Sequence, residues 1–133
     1  MIFVAIVAAA AFSALTNSGA LTPHHRLTGS LILSDTTGGG ILAVAGGCFG
    51  SGGYSDIREG AGVTLKHGDG KLLGTGSLGA GTGGSSSCTF DYAIDNVPET
   101  AFYSLEISHR GALNFSLADM NASGWIAGAT LGN

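Results

Sequence analysis

The stretch Thr89–Asp95, TFDYAID, decides the fold because its side chains alternate between apolar and polar or small. Phe90, Tyr92 and Ile94 fall on one face of an extended chain, and the two aspartates fall on the other. Successive side chains of a strand point to opposite sides, so this pattern predicts a strand with one buried face. A slip of one residue in its pairing would bury both carboxylates, which fixes the register.

The same period of two recurs on both sides of this stretch. It predicts further strands within Leu27–Leu33, Val63–Leu65, Lys71–Leu78, Tyr103–Ile107, Leu113–Leu117 and Trp125–Leu131. Gly68-Asp69-Gly70 predicts a hairpin turn, because glycine tolerates the positive φ that tight turns require. Asn96–Glu99 and Arg110-Gly111 predict two more turns. About seven short strands, with no amphipathic helix after residue 26, indicate an all-β fold: a small antiparallel β-sandwich or a related barrel.

The beginning of the chain has a different composition. Met1–Leu15, MIFVAIVAAAAFSAL, is uncharged and apolar throughout, which predicts a hydrophobic N-terminal helix able to associate with a membrane. It is shorter than the roughly 20 residues of a membrane-spanning helix and suits the apolar core of a signal peptide, although the usual preceding basic residues are missing. Residues 1–20 are therefore predicted to be a signal peptide or membrane anchor. The alternative is a buried N-terminal helix of a cytosolic protein.

Residues 21–26 are predicted to link this segment to a single domain over residues 27–133. The stretch Thr16–Arg26 combines Asn, Ser and Gly with Pro23, which biases the preceding residue away from helix. Hydrophobic residues make up 44% of the chain and charged residues 11%, which excludes a disordered polyampholyte. The net charge of -4 and the scattering of the five basic residues argue against nucleic-acid binding.

The two cysteines, Cys48 and Cys88, both lie in stretches rich in glycine and serine. Thiols pair in oxidising compartments, so a disulfide between them agrees with export. Their spacing fits no zinc-binding pattern. They lie within or next to two glycine-rich stretches, Gly38–Gly53 and Gly79–Ser87, which we expect to be loops tied together by the disulfide.

Seven stretches from Cys48 onward carry a family resemblance: Cys48–Ile57, Gly62–Lys66, Gly70–Leu78, Cys88–Phe90, Val97-Pro98, Phe102-Tyr103 and His109–Gly111. In this order they resemble a family of small exported or lipid-anchored proteins from high-GC Gram-positive bacteria, of which Cys48–Ile57 (CFGSGGYSDI) is the most distinctive block. The resemblance implies a cell-envelope location and no particular activity. A remoter likeness to carboxypeptidase-regulatory and transthyretin-like β-sandwiches bears on architecture alone.

Four residues beside the expected disulfide are the best candidates for a recognition loop: Tyr54, Asp56, Arg58 and Glu59. An aromatic ring beside carboxylates can contact a glycan, a peptide or a calcium ion. The alternative is structural, with Tyr54 closing the end of the sandwich and Asp56 accepting hydrogen bonds from nearby backbone N–H groups.

We predict no catalytic residue, metal site or cofactor. Gly79–Gly84 lacks the Lys-Ser/Thr ending of a phosphate-binding loop, the four histidines form no ligand pair within the domain, and no serine lies in a G-x-S-x-G motif. The chain is therefore predicted to be an exported or membrane-anchored protein whose β domain binds an envelope component or protein partner. The alternative is an envelope hydrolase or metal-dependent enzyme with a site assembled from distant loops, such as those of Asp56 and His109.

Overall fold

The computed structural model describes residues 23–132, which form an all-β domain. The strands are β1 His24–Ser34, β2 Ile41–Val44, β3 Gly47–Gly50, β4 Gly62–His67, β5 Leu72–Ser77, β6 Thr82–Gly83, β7 Ser87–Pro98, β8 Phe102–Ile107, β9 Ala112–Ser116 and β10 Ala129–Gly132. A 3-10 turn covers Gly52–Tyr54, and one helix, α1, covers Leu117–Ser123. The predicted N-terminal hydrophobic helix, and with it the signal peptide or anchor of residues 1–20, lies outside the described residues.

The strands form two four-stranded sheets and one separate hairpin. The first sheet has the order β10-β1-β7-β6, the second has the order β5-β4-β8-β9, and β2 pairs with β3. All pairings are antiparallel except that of β1 with β10, which is parallel. A purely antiparallel arrangement of about seven strands was therefore the wrong expectation. Local alternation identifies strands but says nothing about which distant strand becomes a neighbour.

The alternating stretch of β7 behaves as predicted. Phe90, Tyr92 and Ile94 are buried, whereas Asp91 and Asp95 are exposed. The inward side chains of β1, β4 and β8 join them in one hydrophobic core shared by both sheets: Leu27, Leu31, Leu33, Val63, Leu65, Tyr103, Leu105 and Ile107. The burial of each alternate residue is what fixes the register of these strands.

Two glycines let the sheets approach closely where β5 crosses β7. A Cβ atom at Gly76 would lie 2.3 Å from the carbonyl oxygen of Ala93, and one at Gly74 would lie 2.7 Å from a methyl carbon of Ile94. Neither distance is compatible with a side chain, so these positions need glycine for packing. The predicted turn at residues 68–70 and the return strand that follows it are both confirmed.

The seven-residue helix α1 follows β9, within the part of the chain where the sequence predicts no amphipathic helix. Ser116 accepts a hydrogen bond from the Asp119 amide, and the Asp119 carboxylate accepts one from the Ser116 amide, which together form a capping box. Gly124 ends the helix with φ of 71°. The predicted strand at Leu113–Leu117 thus stops at Ser116.

Three other predicted boundaries differ from those in the structure. The strand predicted over Trp125–Leu131 is regular only from Ala129 to Gly132, because the chain leaves α1 with Trp125 at φ of 64°. The turn predicted at Asn96–Glu99 lies later, because β7 continues through Asn96, at φ of 56°, to Pro98. This extension gives His24 and His25 a partner strand, so β1 begins within the segment expected to be a linker.

Both glycine-rich stretches expected to be loops contain strands. Gly38–Gly53 holds the hairpin β2–β3, and Gly79–Ser87 holds the short strand β6. Backbone pairing needs no side chain, so glycine weakens a strand without preventing it. Within residues 23–132, no helix has the length and hydrophobicity to cross a membrane.

The long strands β1 and β7 run from one end of the domain to the other. At one end β1 finishes at Ser34, and the hairpin and the disulfide follow; we call this the bridged end. At the other, which we call the proximal end, β1 begins at His24 opposite Pro98. There the Gly68 amide donates a 3.1 Å hydrogen bond to the Phe102 carbonyl, which brings the 68–70 turn beside β8.

Candidate functional site

The predicted disulfide between Cys48 and Cys88 is present and fixes the bridged end. It joins β3 to the start of β7 with the two Cα atoms 6.0 Å apart, and both cysteines are buried. The Cys48 amide also donates to the carbonyl of Gly81, at 3.3 Å. A Cβ at Gly81 would lie 2.2 Å from the Cys48 carbonyl oxygen, so glycine is required here. The disulfide therefore attaches the separate hairpin to the first sheet and does not join two loops.

The loop after β3 is closed by backbone hydrogen bonds. The Gly50 amide donates to the carbonyl of Ile57 at 2.7 Å, and the Ile57 amide donates to the carbonyl of Tyr54 at 2.9 Å. Ile57 is fully buried and anchors the loop in the core. Since a Cβ at Gly50 would lie 1.9 Å from the Tyr54 carbonyl oxygen, the loop can close this tightly only with glycine at that position. The predicted recognition residues thus lie on a well-fixed loop.

A buried carboxylate fixes the turn that leads into β2. Asp35 is 5% exposed and accepts hydrogen bonds from the Thr37 hydroxyl and from the amides of Thr37, Gly38 and Gly40. These bonds, that from the Thr37 hydroxyl above all, hold the pKa of Asp35 below its usual range. The hairpin is therefore positioned by a carboxylate at its start and by the disulfide near its end.

Asp56 is engaged by residues that the sequence did not connect with it. It accepts hydrogen bonds from Arg110 Nε at 3.0 Å and from the Ser108 hydroxyl at 2.7 Å, and it forms an ion pair with the same guanidinium. Arg110 also donates to the Gly53 carbonyl at 2.5 Å and lies over the Tyr54 ring, with 5.3 Å from Cζ to the ring centroid. Both the Asp56 and Arg110 side chains are about one third exposed, at 34% and 30%.

This pairing changes the chemistry of the Asp56 carboxylate. The hydrogen bond from Arg110 is the main reason why its pKa lies below the usual range, and Ser108 adds to the effect. The same contact raises the pKa of the Arg110 guanidinium. Asp56 therefore stays ionised with most of its lone pairs occupied. The structural alternative expects backbone N–H donors to Asp56, whereas its partners are side chains from the turn after β8.

Arg58 and Glu59 lie in a different part of the bridged end. They line an open depression of about 370 Å³ together with the hairpin residues from Val44 to Phe49 and with Ala80 and Gly81. We call this depression the bridge groove. The Arg58 guanidinium carbon lies 5.3 Å from the centroid of the Phe49 ring, a distance at which a cation and an aromatic face attract.

The four predicted recognition residues therefore divide into two pairs. Tyr54 and Asp56 belong to the internal network of Arg110, whereas Arg58 and Glu59 are exposed and provide the charged side chains of the bridge groove. The groove walls at residues 45–47 and 80–81 are alanine and glycine, so the backbone itself forms much of the surface. Leu42 and Val44, on the neighbouring strand β2, are 49% and 50% exposed.

Sequence reasoning missed Phe49, Ser108 and Arg110. Arg110 is 54 residues from Asp56, and nothing local in the sequence indicates their contact. Phe49 directly follows Cys48 in the sequence. His109, named for the enzymatic alternative, is exposed on the turn after β8. Among residues 23–132 no three His, Cys, Asp or Glu side chains are grouped so that they could hold a metal ion.

Comparison with known proteins gives no match. No family model matches this chain, and no curated protein and no solved structure is significantly similar to it. The function is therefore inferred from the sequence and from the geometry of the site.

Proposed function

We propose that this chain is an exported or membrane-anchored cell-envelope protein whose β domain binds another envelope component through the bridge groove, without catalysing a reaction. One observation carries the proposal. A hairpin that belongs to neither large sheet is attached covalently to the domain, and an open groove with two exposed charges lies along it.

The rigidity of this surface favours recognition. Binding costs conformational entropy whenever a flexible loop must be ordered, and a surface already fixed before binding avoids that cost. Glycine-rich chain would ordinarily be mobile, yet here the Cys48–Cys88 bridge, the Asp35 turn and the buried Ile57 hold it. Such extensive fixing of a hairpin outside the main sheets is expected where its surface has a role beyond filling space.

The chemistry of the groove indicates what it can bind. Arg58 can donate two parallel hydrogen bonds to a carboxylate or phosphate, and Glu59 next to it can accept from a hydroxyl or amine. Alanine and glycine walls leave room for a ligand to approach the backbone closely. An extended polar ligand with an anionic group beside Phe49 fits these features.

The location in the envelope has two supports. Disulfides persist in oxidising compartments, and the sequence places the apolar segment Met1–Leu15 before the domain. The two four-stranded sheets with a common core agree with a β-sandwich, the architecture implied by the remoter resemblance. The closer resemblance of Cys48–Ile57 to an exported family covers the loop that carries Tyr54 and Asp56.

The proposal is tested by photo-cross-linking from the groove. A photoreactive amino acid in place of Ala80, which is exposed on the groove wall, is activated in isolated envelope fractions of the producing cells. We expect one dominant adduct, reduced about tenfold or more when Arg58→Ala and Glu59→Ala remove both charges. The matched control is Arg26→Ala with Asp95→Ala, which removes an exposed ion pair on the outer face of the first sheet.

Two results would contradict the proposal. One is an adduct that both double variants reduce equally, because the groove would then have no special part in it. The other is a turnover of envelope substrates that disappears when Asp56 or His109 is changed, which would establish the enzymatic alternative.

A further inference from the structure

The strand β9 is an exposed edge of the second sheet. It pairs with β8 on one side, and no strand of the described chain pairs with its other side. Ala112, Leu113 and Asn114 are all exposed. The opposite edge of the same sheet differs, because β5 closes against β7 at Gly74 and Gly76. One seam between the two sheets is therefore closed, and the seam beside β9 is open.

The hydrogen-bond register of β8 and β9 can be read from the end of the ladder. The Leu117 amide donates to the Ala101 carbonyl at 3.0 Å. The next pair inward, Phe102 with Ser116, is flanked by this bond and is therefore a non-hydrogen-bonded pair.

This register determines which backbone groups point out of the edge. Hydrogen-bonded and non-hydrogen-bonded pairs alternate along an antiparallel ladder, so Leu113 exchanges hydrogen bonds with Leu105. Ala112 and Asn114 belong to non-hydrogen-bonded pairs and direct their N–H and C=O groups away from β8. Each of these two residues thus presents one donor and one acceptor on the outer edge, without a partner in the described chain.

Leu113 points to the inner face of the sheet yet remains 41% exposed. Its partner Leu105 is fully buried, and paired residues share a face. The exposure arises from the open seam, where Leu113 lines an apolar cleft of about 90 Å³ between β9 and β10. Exposure alone does not distinguish this residue, since Phe102, Ile126 and Leu72 are more exposed. What distinguishes it is its position between two residues whose backbone groups are unpaired.

The edge of β9 lacks the charges, prolines and bulges that protect sheet edges from other strands. From Gly111 to Ala118 the chain has no charged residue and no proline, and its pairing with β8 contains no register shift. The edge of β2 also bears exposed apolar side chains, but there Ile41 is only 5% exposed, which makes its backbone inaccessible. The edge of β9 is therefore the better template for an added strand.

We propose that β9 pairs with β9 of a second copy of this chain, antiparallel, about a two-fold axis at Leu113. An antiparallel edge is its own complement under a two-fold axis. When Leu113 lies opposite Leu113 of the second copy, Ala112 lies opposite Asn114 of the second copy. The N–H and C=O groups of these opposed residues then meet as hydrogen-bonded pairs. All the unpaired groups of Ala112 and Asn114 are satisfied, and the two second sheets become one continuous sheet.

The side chains fit the same register. On the outer face Ala112 lies beside its β8 partner Glu106, and Asn114 lies beside Ser104. In the dimer Asn114 of one copy is next to Ala112 of the other, whose small side chain leaves room for the amide to approach the Glu106 carboxylate. An amide donates to a carboxylate, so a charge meets a donor there. On the inner face the two Leu113 side chains cover each other.

The shortness of the edge determines the strength of the dimer. The Ser116 amide already donates to the Asp119 carboxylate, so the pairing covers Ala112–Asn114. Three residues of strand, about 10 Å long, bury less than the roughly 1,200 Å² of a stable interface. We therefore expect a reversible dimer with a dissociation constant above about 10 µM. Because β9 contributes nothing to the bridge groove, this inference goes beyond the proposed function and does not depend on it.

Cysteine cross-linking of the full chain under oxidising conditions tests the register. In the proposed dimer the two Cα atoms at position 113 are about 4.5 Å apart, within the span of a disulfide. The two Cα atoms at position 114 are roughly 8 Å apart, beyond that span. We expect Leu113→Cys to form at least about five times more covalent dimer than the adjacent, also exposed Asn114→Cys. Leu72→Cys, at the far edge of the sheet, is the second control.

Sedimentation equilibrium in a mild detergent measures the dimer without a cross-link. Leu113→Lys should raise the dissociation constant at least about tenfold, because two ammonium groups would meet at the two-fold axis. Leu72→Lys makes the same change at a more exposed residue of the far edge and should leave the constant unchanged. The emission of the single tryptophan, Trp125, checks that both variants are folded.

Four outcomes would overturn the proposal. Equal cross-linking of Leu113→Cys and Asn114→Cys contradicts the register. A chain that sediments as a monomer up to about 1 mM contradicts the dimer. A dimer that Leu113→Lys does not weaken is formed by another surface, such as the apolar segment Met1–Leu15. Recovery of Leu113→Cys from envelope fractions in a mixed disulfide with a different protein, instead of with its own copy, assigns the edge to another strand.

Discussion

The bridged and proximal ends of this domain are held by different kinds of interaction. The bridged end relies on the disulfide and on the Asp56–Arg110 pair. The proximal end relies on aromatic rings and on a 2.7 Å contact between His25 and Glu99. His25 stacks on Trp125 with centroids 4.0 Å apart, and Tyr103 meets Trp125 edge-on at 5.6 Å. The glycine-rich bridged end is thus held by a covalent cross-link and an ion pair, so its stability depends on redox state and on pH.

Removing the disulfide should produce the largest difference between the two ends. With the cysteines 40 residues apart, Cys48→Ala with Cys88→Ala should lower the free energy of unfolding by about 3 to 4 kcal/mol, through the greater entropy of the unfolded chain. Denaturant titration measures this loss. Hydrogen exchange at sub-denaturing conditions should show the amides of β2 and β3 exposed well before those of β4 and β8. Equal exchange of the amides in both pairs of strands would contradict a special dependence of the bridged end on the disulfide.

Alkaline pH should lower the free energy of unfolding through the buried tyrosine Tyr92. The Tyr92 hydroxyl donates to the Ala127 carbonyl inside the core, and burial raises the pKa of Tyr92 to about 12. The unfolded tyrosine ionises near pH 10, so the stability from the neutral side chain is complete below pH 10 and is lost as the pH rises towards 12.

The expected loss over this range is roughly 2 to 3 kcal/mol for Tyr92, with a contribution of the same sign from Tyr103, whose pKa is also raised by burial. Denaturant titration at several pH values from 9 to 12 gives the slope of the free energy of unfolding against pH. Tyr92→Phe should flatten that slope while lowering stability at neutral pH, because it leaves the Ala127 carbonyl without its donor. A slope identical to that of the unchanged protein would rule out the explanation.

Protonation of Asp56 at the bridged end should have the smallest of these effects. The pKa of Asp56 is held low, so its stabilisation is present above the ordinary value of about 4 and is lost as the pH falls further below it. Because the pair is partly exposed, we expect Asp56→Asn to cost only about 1 kcal/mol at neutral pH.

The matched control for this change is Asp95→Asn, which breaks the more exposed ion pair with Arg26. We expect the control to change the free energy of unfolding by less than about 0.5 kcal/mol. Urea titration of both variants at pH 7 and at pH 3 provides the comparison. Asp56→Asn should lose less stability between these pH values than the unchanged protein does, and an equal loss would show that Asp56 is not the responsible carboxylate.

The strands with strict alternation were predictable because their pattern depends on burial alone. TFDYAID, the strand around Leu105 and the 68–70 turn all follow from the period of two and from glycine at a tight turn. The helix α1 was missed although its signals are local: Ser116 and Asp119 form the S-x-x-D pattern of a capping box, and Gly124 follows the last turn. Its short length hid it among alternating residues.

What could not be predicted depends on contacts between distant parts of the chain. The parallel pairing of β1 with β10 and the Arg110–Asp56 contact leave no trace in local periodicity. The hairpin β2–β3 was not predicted because its many glycines are typical of a loop. Ile41–Val44 is nevertheless an apolar run before a Gly-Gly pair, which is compatible with a strand and a turn. For the site, the sequence predicted the disulfide and named four residues beside it. It could not show that Tyr54 and Asp56 contact Arg110 whereas Arg58 and Glu59 line the bridge groove.

The position of β1 between β7 and β10 determines when the domain can be completed. One edge of β1 pairs with β7, but its other edge stays uncovered until β10, near the end of the chain, has formed. Such long-range pairing slows folding, because distant segments must meet before either is stabilised. An exported chain that emerges from a translocation pore N-terminus first would therefore expose an unpaired edge of β1 until nearly all of it has crossed. The export proposed for this chain should consequently be sensitive to chaperones that shield strand edges on the far side of the membrane.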